Sequence, residues 1–372
     1  MAVSKGDVVD SATYKNLVER VAAVLGNGEG QNGYGQRVFS AEDYWSSTDD
    51  TIEIGITEWN SLRGDINKAR NHQTNNDTSA ELLESNKIIG ADASGVSVTR
   101  ISGDDFSIDT PETSKGINDY ITEVSNVESN AGTINAFQAT TTTGGAFGNS
   151  TRTDSWGTSS NQSVYCELAV EFQGGYNVTA PILSSGGAVI GYETVQATGA
   201  DHRTHFFNAG GEIRLSAFLN GSTAKDTDWG TMLGNAGTIR FLKNQTTLTG
   251  TGRARDGLTD VDGLGGIDSA IGNYQLTTGY QLIFMKNGSQ AEYAENYVQI
   301  YAKRNTAGNR ITFQFEFNDV DAGDQTGIGP GVDEPVLAAG GSMGAQIDLK
   351  RPTGDCAVPE PVFDVVVELR LT

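Results

Sequence analysis

The chain has 372 residues, 37% of them hydrophobic, and a formal charge of −22 from 47 acidic and 25 basic side chains. That length exceeds one small domain and suits two, since domains mostly run to roughly 100 to 200 residues. No long acidic run accounts for the charge, so it belongs to a solvated surface and excludes nucleic acid as a favoured partner.

The start, Met-Ala-Val-Ser-Lys-Gly-Asp, lacks the apolar run of a signal peptide, and no window approaches the ~18 apolar residues of a membrane span. Synthesis and assembly in the cytoplasm are expected. From Ser11 the spacing predicts a helix: Tyr14, Leu17, Val18, Val21 and Leu25 form one apolar stripe, Ser11 or Asp10 can cap it and Gly26 can end it. Residues 27–36 read as loop, with a short strand at Thr51 to Ile54.

A second helix is predicted over Thr57 to Arg70, with Trp59, Leu62, Ile66 and Ala69 as its stripe. Tyr14, Leu17 and Val21 match Trp59, Leu62 and Ile66 at identical intervals, so the helices read as distant copies. Ala80 to Leu83 suggests a helical turn and Ile117 to Val127 a longer helix. Thr140 to Asn161 is Thr, Gly, Ser and Asn with few apolar residues, the composition of a linker or an arm ordered by neighbours.

From Ser163 the pattern changes to short alternating runs between polar turns. Candidate strands are Val164 to Phe172, Ala188 to Tyr192, Glu212 to Leu219, Thr238 to Leu242, Tyr280 to Met285, Tyr297 to Lys303, Ile311 to Phe317, Gly344 to Leu349 and Val362 to Leu371. His205 to Leu219 reads as a sharply bent strand entry followed by a half-buried strand, with Gly210 and Gly211 at the bend. The expected fold is mainly β: a C-terminal antiparallel β-sandwich, immunoglobulin-like or jelly-roll, preceded by a small helical N-terminal region and an extended arm. The expected boundaries are 1–75 for the helices, 76–160 for the arm and 161–372 for the sandwich.

Residues that could carry chemistry are few. His202 and His205 are three apart, a spacing that splits them to opposite faces if the segment runs extended and aligns them on a helix, and no third ligand is in view. Asp256, Asp260, Asp262 and Asp268, and the run Asn318 to Asp324, are rich in oxygen but lack the spacing of known calcium loops. Cys166 and Cys356 lie far apart and read as free thiols in or near the core. No nucleophile elbow, phosphate loop or dinucleotide fingerprint occurs. Neither catalysis, a metal nor a cofactor is expected.

Two places resemble known proteins. Tyr14 to Gly26 leading to Gly33-Tyr-Gly-Gln36, together with Trp59 to Gln73, look like segments of virion structural proteins of contractile-tailed phages that infect marine cyanobacteria. His205 to Leu219 is similar to a Phe-Phe-Asn-x-Gly-Gly-Glu-Ile-Arg run in the same group. The resemblance implies assembly rather than a reaction. It leads to the expectation of a repeated virion subunit of the tail, neck, baseplate or fibre, docking through Tyr14, Leu17, Trp59, Leu62 and Ile66. Its partners would be copies of itself in a ring or fibre and other virion proteins, with no nucleic acid and no membrane. Two alternatives remain open. A carbohydrate-binding host-recognition sandwich would expose Trp156, Trp229, Tyr293 and Tyr297 along a groove, and a glycan depolymerase would place two carboxylates within ~10 Å in a cleft.

Overall fold

The computed structural model describes residues 11–28, 32–45, 54, 56–77, 117–147, 162–221, 224–249, 253–254, 271–287, 296–319 and 342–371. In chain order the helices are α1 (Ser11–Leu25), α2 (Phe39–Trp45), α3 (Ile56–Thr74), α4 (Ile117–Ser129), α5 (Gly199–Asn208) and α6 (Ala224–Ala236). The strands are β1 (Ala139–Phe147), β2 (Gln162–Glu171), β3 (Asn177–Leu183), β4 (Val189–Gln196), β5 (Glu212–Asn220), β6 (Ile239–Phe241), β7 (Thr246–Leu248), β8 (Arg253–Ala254), β9 (Gln281–Asn287), β10 (Tyr297–Arg304), β11 (Arg310–Asp319), β12 (Ser342–Pro352) and β13 (Val362–Leu371). The fold is mainly β, with antiparallel sheets.

The chain divides into two compact units that do not follow the boundary expected near residue 160. Unit 1 takes residues 1–140, 174–210 and 352–359, and unit 2 takes 141–173, 211–351 and 360–372. The hairpin of β3 and β4 and the helix α5, read from sequence as part of one C-terminal domain, therefore belong with the N-terminal helices.

In unit 1 the predicted stripe of α1 is buried: Tyr14, Leu17, Val18, Val21 and Leu25. Trp59 of α3 sits between two rings, edge-on to Tyr14 and to Tyr120 of α4, each at 5.0 Å between centroids. The Tyr14 hydroxyl donates to the Glu58 carbonyl at 2.7 Å, so the buried phenol of that aromatic stack has a partner. Asp65 of α3 accepts from the Ser40 amide at 2.8 Å, supplying from outside the cap that the first turn of α2 needs. Burial pushes the Asp65 carboxyl up to about 6 against that hydrogen bond.

The stretch around His205 departs from the sequence expectation. His205 to Asn208 are the last turn of α5, not a bent strand entry. The reason lies upstream, where Thr198 and Asp201 form a reciprocal capping box that starts the helix. The chain reverses at Gly210, whose φ of +83° suits glycine and where a Cβ would lie 2.6 Å from Ile134 Cγ2; β5 follows.

Unit 2 holds a six-stranded sheet in the order β13-β2-β11-β10-β9-β8, and most of a five-stranded sheet in the order β1-β12-β5-β6-β7. Alternation in β11 buries Ile311, Phe313, Phe315 and Phe317, which stand opposite Val170, Leu168, Cys166 and Val164 of β2. The five-stranded sheet buries Leu215 opposite Ile347 and Ile213 opposite Leu349. Phe241 of one sheet meets Phe313 of the other edge-on at 5.4 Å. Trp229 of α6 lies 6.3 Å from Phe317, and Gly230 on the same helix brings the backbone close to β5, where a Cβ would be 2.9 Å from the Leu219 carbonyl.

Thr140 to Phe147, expected as linker, is most of β1 and lies beside β12. Its threonines are β-branched and fit a pleated surface once a partner strand is present. The strand expected at Thr51 to Ile54 lies outside the described residues apart from Ile54, and the turn expected at Ala80 to Leu83 lies wholly outside them.

Candidate functional site

The chain's three histidines all lie in unit 1, all fully buried. His72 of α3 donates from Nε2 to the Ala209 carbonyl at 2.9 Å. His202 of α5 donates from Nε2 to the Pro359 carbonyl at 2.9 Å and accepts from the Gly174 amide at Nδ1 at 3.3 Å. His205, one turn on, faces Asn27 Oδ1 through Nε2 at 2.9 Å and the Tyr176 hydroxyl through Nδ1 at 2.7 Å. In each case the Nε2 hydrogen meets an oxygen acceptor, which selects the same neutral tautomer three times.

Because α5 is a helix, His202 and His205 share a face and flank the Tyr176 ring, at 5.5 and 6.0 Å between centroids. The opposite-face placement of an extended segment is therefore corrected. Burial drives His72 and His205 down to about 4, and lowers His202 as well, against the carbonyls that favour their charged forms. Gly35 takes a φ of +71°, and a Cβ there would fall 2.3 Å from His205 Nδ1, so the loop after α1 is fitted to the imidazole. Among the described residues no group of three His, Cys, Asp or Glu side chains has a metal-holding arrangement.

Both cysteines are free and buried, as their positions in the sequence suggested. Burial pushes the Cys166 thiol up to about 12 and raises Cys356 too, which leaves little thiolate at neutral pH.

The five residues expected to dock onto a particle are internal. Tyr14, Leu17, Leu62 and Ile66 are at most 1% exposed and Trp59 is 5% exposed. Their stripes meet one another and α4 instead of waiting for a neighbour, which corrects the expected interface. Of the aromatics expected along a glycan groove, Trp229 is buried and Tyr297 is half-buried, while Trp156 and Tyr293 lie outside the described residues. The acidic stretch from Asp256 to Asp268 also lies outside them, and in the second acidic run Asn318 is 7% exposed and accepts from the Ser163 hydroxyl.

Two features were not read from the sequence: a buried carboxylate cluster and the packing of the β3–β4 hairpin. In unit 2, Glu212 receives Arg240 at 2.5 Å, Lys350 at 3.2 Å and Arg214 at 3.3 Å across three neighbouring strands. Burial alone would raise the Glu212 pKa, but the Arg240 hydrogen bonds and the nearby Lys350 charge hold it below the ordinary glutamate value. Glu212→Gln would leave three cations clustered without their counter-ion. We expect it to cost about 2 kcal/mol, read as a lower urea midpoint of unit 2, and an unchanged midpoint would show the cluster to be ornamental to stability.

In unit 1 the β3–β4 hairpin is anchored at its base and bare at its end. The Thr179 amide donates to the Gln36 carbonyl at 3.1 Å, its carbonyl accepts from Asn27 at 2.8 Å, and its hydroxyl accepts from the Val38 amide at 2.8 Å. Thr179 and Thr194 both donate to Glu42 of α2. Towards the turn, Ile182, Leu183 and Ile190 are 38%, 45% and 55% exposed. Pro181, Val189 and Tyr192 line a groove of about 320 Å³ with Ala22 and Ala23 of α1. The signal was present in sequence as an apolar run around a Ser-Ser-Gly-Gly turn, but Pro181 disguised β3.

Comparison of the chain with protein-family models, with curated proteins and with solved structures finds no match to any of them. No helix among the described residues is long and apolar enough to cross a membrane.

Proposed function

We propose that the chain is a repeated structural subunit of a phage virion, in the tail, neck, baseplate or fibre, whose two facing sheets form a sandwich of immunoglobulin-like or jelly-roll type. The observation that carries this reading is the use made of the reactive side chains. All three histidines are neutral ties to backbone or side-chain oxygens, and both thiols are buried with raised pKa values. These groups hold loops in place, where a catalytic site would need them poised at a surface. The resemblance of Tyr14 to Gly26, Trp59 to Gln73 and His205 to Leu219 to virion proteins supports the same reading.

Counting the chain's peptides in gradient-purified particles tests it. A copy number that is a multiple of three, six or twelve is the expected result. Absence from the particle would overturn the assignment.

A further inference from the structure

We propose that His72 and His202 form an acid-operated latch in unit 1: on taking up a proton, each lets go of the backbone where the chain enters or leaves that unit. This goes beyond the virion reading and is independent of it, because it rests on the hydrogen bonds of unit 1 alone.

The chain passes between the two units after residues 140, 173, 210, 351 and 359. Histidine nitrogens hold the unit 1 side of three of these passages. His202 accepts from the Gly174 amide at Nδ1, at 3.3 Å, and donates from Nε2 to the Pro359 carbonyl at 2.9 Å, while His72 donates from Nε2 to the Ala209 carbonyl at 2.9 Å. Among the described residues, none of these three backbone groups has another hydrogen-bond partner. Two imidazoles thus supply what a helix or a sheet ladder supplies to ordinary backbone.

A proton added to this neutral tautomer goes to Nδ1, and what Nδ1 faces decides the outcome. At His202 it faces the Gly174 amide, which cannot become an acceptor, so donor is set against donor. At His72 the Nδ1 atom is buried without a hydrogen-bond partner, so a second N–H there would be left unsatisfied. At His205 it faces the Tyr176 hydroxyl at 2.7 Å, which can turn round and accept, so this histidine keeps its place when charged.

Neighbouring groups do not rescue the first two. Lys68, one turn back on α3, opposes a charge on His72, and Tyr34, whose ring lies 5.0 Å away, has its hydroxyl engaged by Gln73 and the Gly132 amide. Around His202 stand the Tyr176 ring at 5.5 Å, His205, and Asp201, whose carboxylate is taken by the Thr198 amide and hydroxyl. On the segment that carries Pro359, the Asp355 amide and the Cys356 thiol are tied to Gln138 and the Lys68 carbonyl. Burial holds both histidines below the ordinary value of 6.5, so the latch is shut at pH 7 and loosens as the pH falls below that value. A local opening that brings an imidazole to water gains as much from its proton as complete unfolding does and breaks fewer contacts, so it comes first on acidification.

Hydrogen exchange of the full chain at pH 7 and pH 5, with intrinsic rates divided out, is the test. Peptides spanning 172–176, 208–211 and 357–360 should lose protection by about tenfold or more between the two, and at both they should stay about tenfold or more below α1. His202→Gln keeps a donor for the Pro359 carbonyl but has no second nitrogen to accept from Gly174. It should open 172–176 already at pH 7 and abolish the pH response of that peptide, while 208–211 responds as in the wild type. His205→Gln should leave all three responses in place. Wild-type peptides equally protected at pH 7 and pH 5 would overturn the proposal, as would peptides protected like α1 at both, which only whole-unit unfolding exposes. So would a response lost in His205→Gln, or kept at 172–176 in His202→Gln. The wild-type measurement decides alone should a variant fail to fold, and none of these results bears on the particle count, so the two readings fail separately.

Discussion

Acidifying the protein from pH 7 towards pH 4 is expected to destabilise unit 1 by about 4 kcal/mol while unit 2 holds until its carboxylates titrate. His72 and His205 have folded pKa values near 4 where the unfolded chain has 6.5. The unfolded state therefore takes up protons first as the pH falls, and each histidine removes about 1.4 kcal/mol per pH unit between 6.5 and 4. His202 shifts in the same direction and adds to the loss. Asp65 opposes it: its folded pKa is raised to about 6, so the folded state binds that proton more readily and regains stability between about pH 6 and 3.8. Two or more histidines outweigh one carboxyl, and the net effect is a loss. Unit 2 contains no histidine, and the pull on Glu212 is surrendered only below the ordinary glutamate range. Urea unfolding followed by tryptophan fluorescence at pH 7, 6, 5 and 4 measures this. A midpoint for unit 1 that stays flat down to pH 5 would mean that the imidazoles are not held neutral.

Trp59→Ala is expected to cost unit 1 about 3 to 5 kcal/mol, the range for deleting a large buried aromatic side chain. The indole is 5% exposed and meets Tyr14 and Tyr120 edge-on at 5.0 Å on each side, so its removal leaves a cavity bounded by three helices. The same substitution decides between the two roles this residue could have. A docking side chain waiting for a neighbour could be truncated with little change in the isolated chain's melting, and its loss would show only in assembly. A core side chain lowers the midpoint of the isolated protein. Circular dichroism melts of wild type and variant distinguish these outcomes, and an unchanged midpoint would return Trp59 to the assembly surface.

The parts of the fold legible in sequence were those with a clean period. Ile311 to Phe317 alternates through four buried positions, and Tyr14 to Leu25 repeats at helical spacing, so both could be read without partners. The elements that escaped were those specified by something other than period. α5 starts at a capping box whose Thr and Asp are three apart, yet its aromatic pair and two glycines look like the approach to a strand. β1 is mostly threonine and glycine and gains a role through its place beside β12. α6 contains Gly230, placed there by its close approach to β5. The expected docking stripes were real apolar stripes. What sequence could not reveal is that α1, α3 and α4 satisfy one another, because partner choice among helices is a tertiary fact. Of the hairpin, β4 was legible as Ala188 to Tyr192, whereas β3 was not, because Pro181 interrupts its apolar run.

Amide hydrogen exchange on the full chain at about 5 μM and about 300 μM is the most direct measurement of whether the stripes of α1 and α3 are completed within the chain. Strong and equal protection of the α1 and α3 amides at both concentrations is the predicted result. Protection of those amides that appears only at the higher concentration would contradict it.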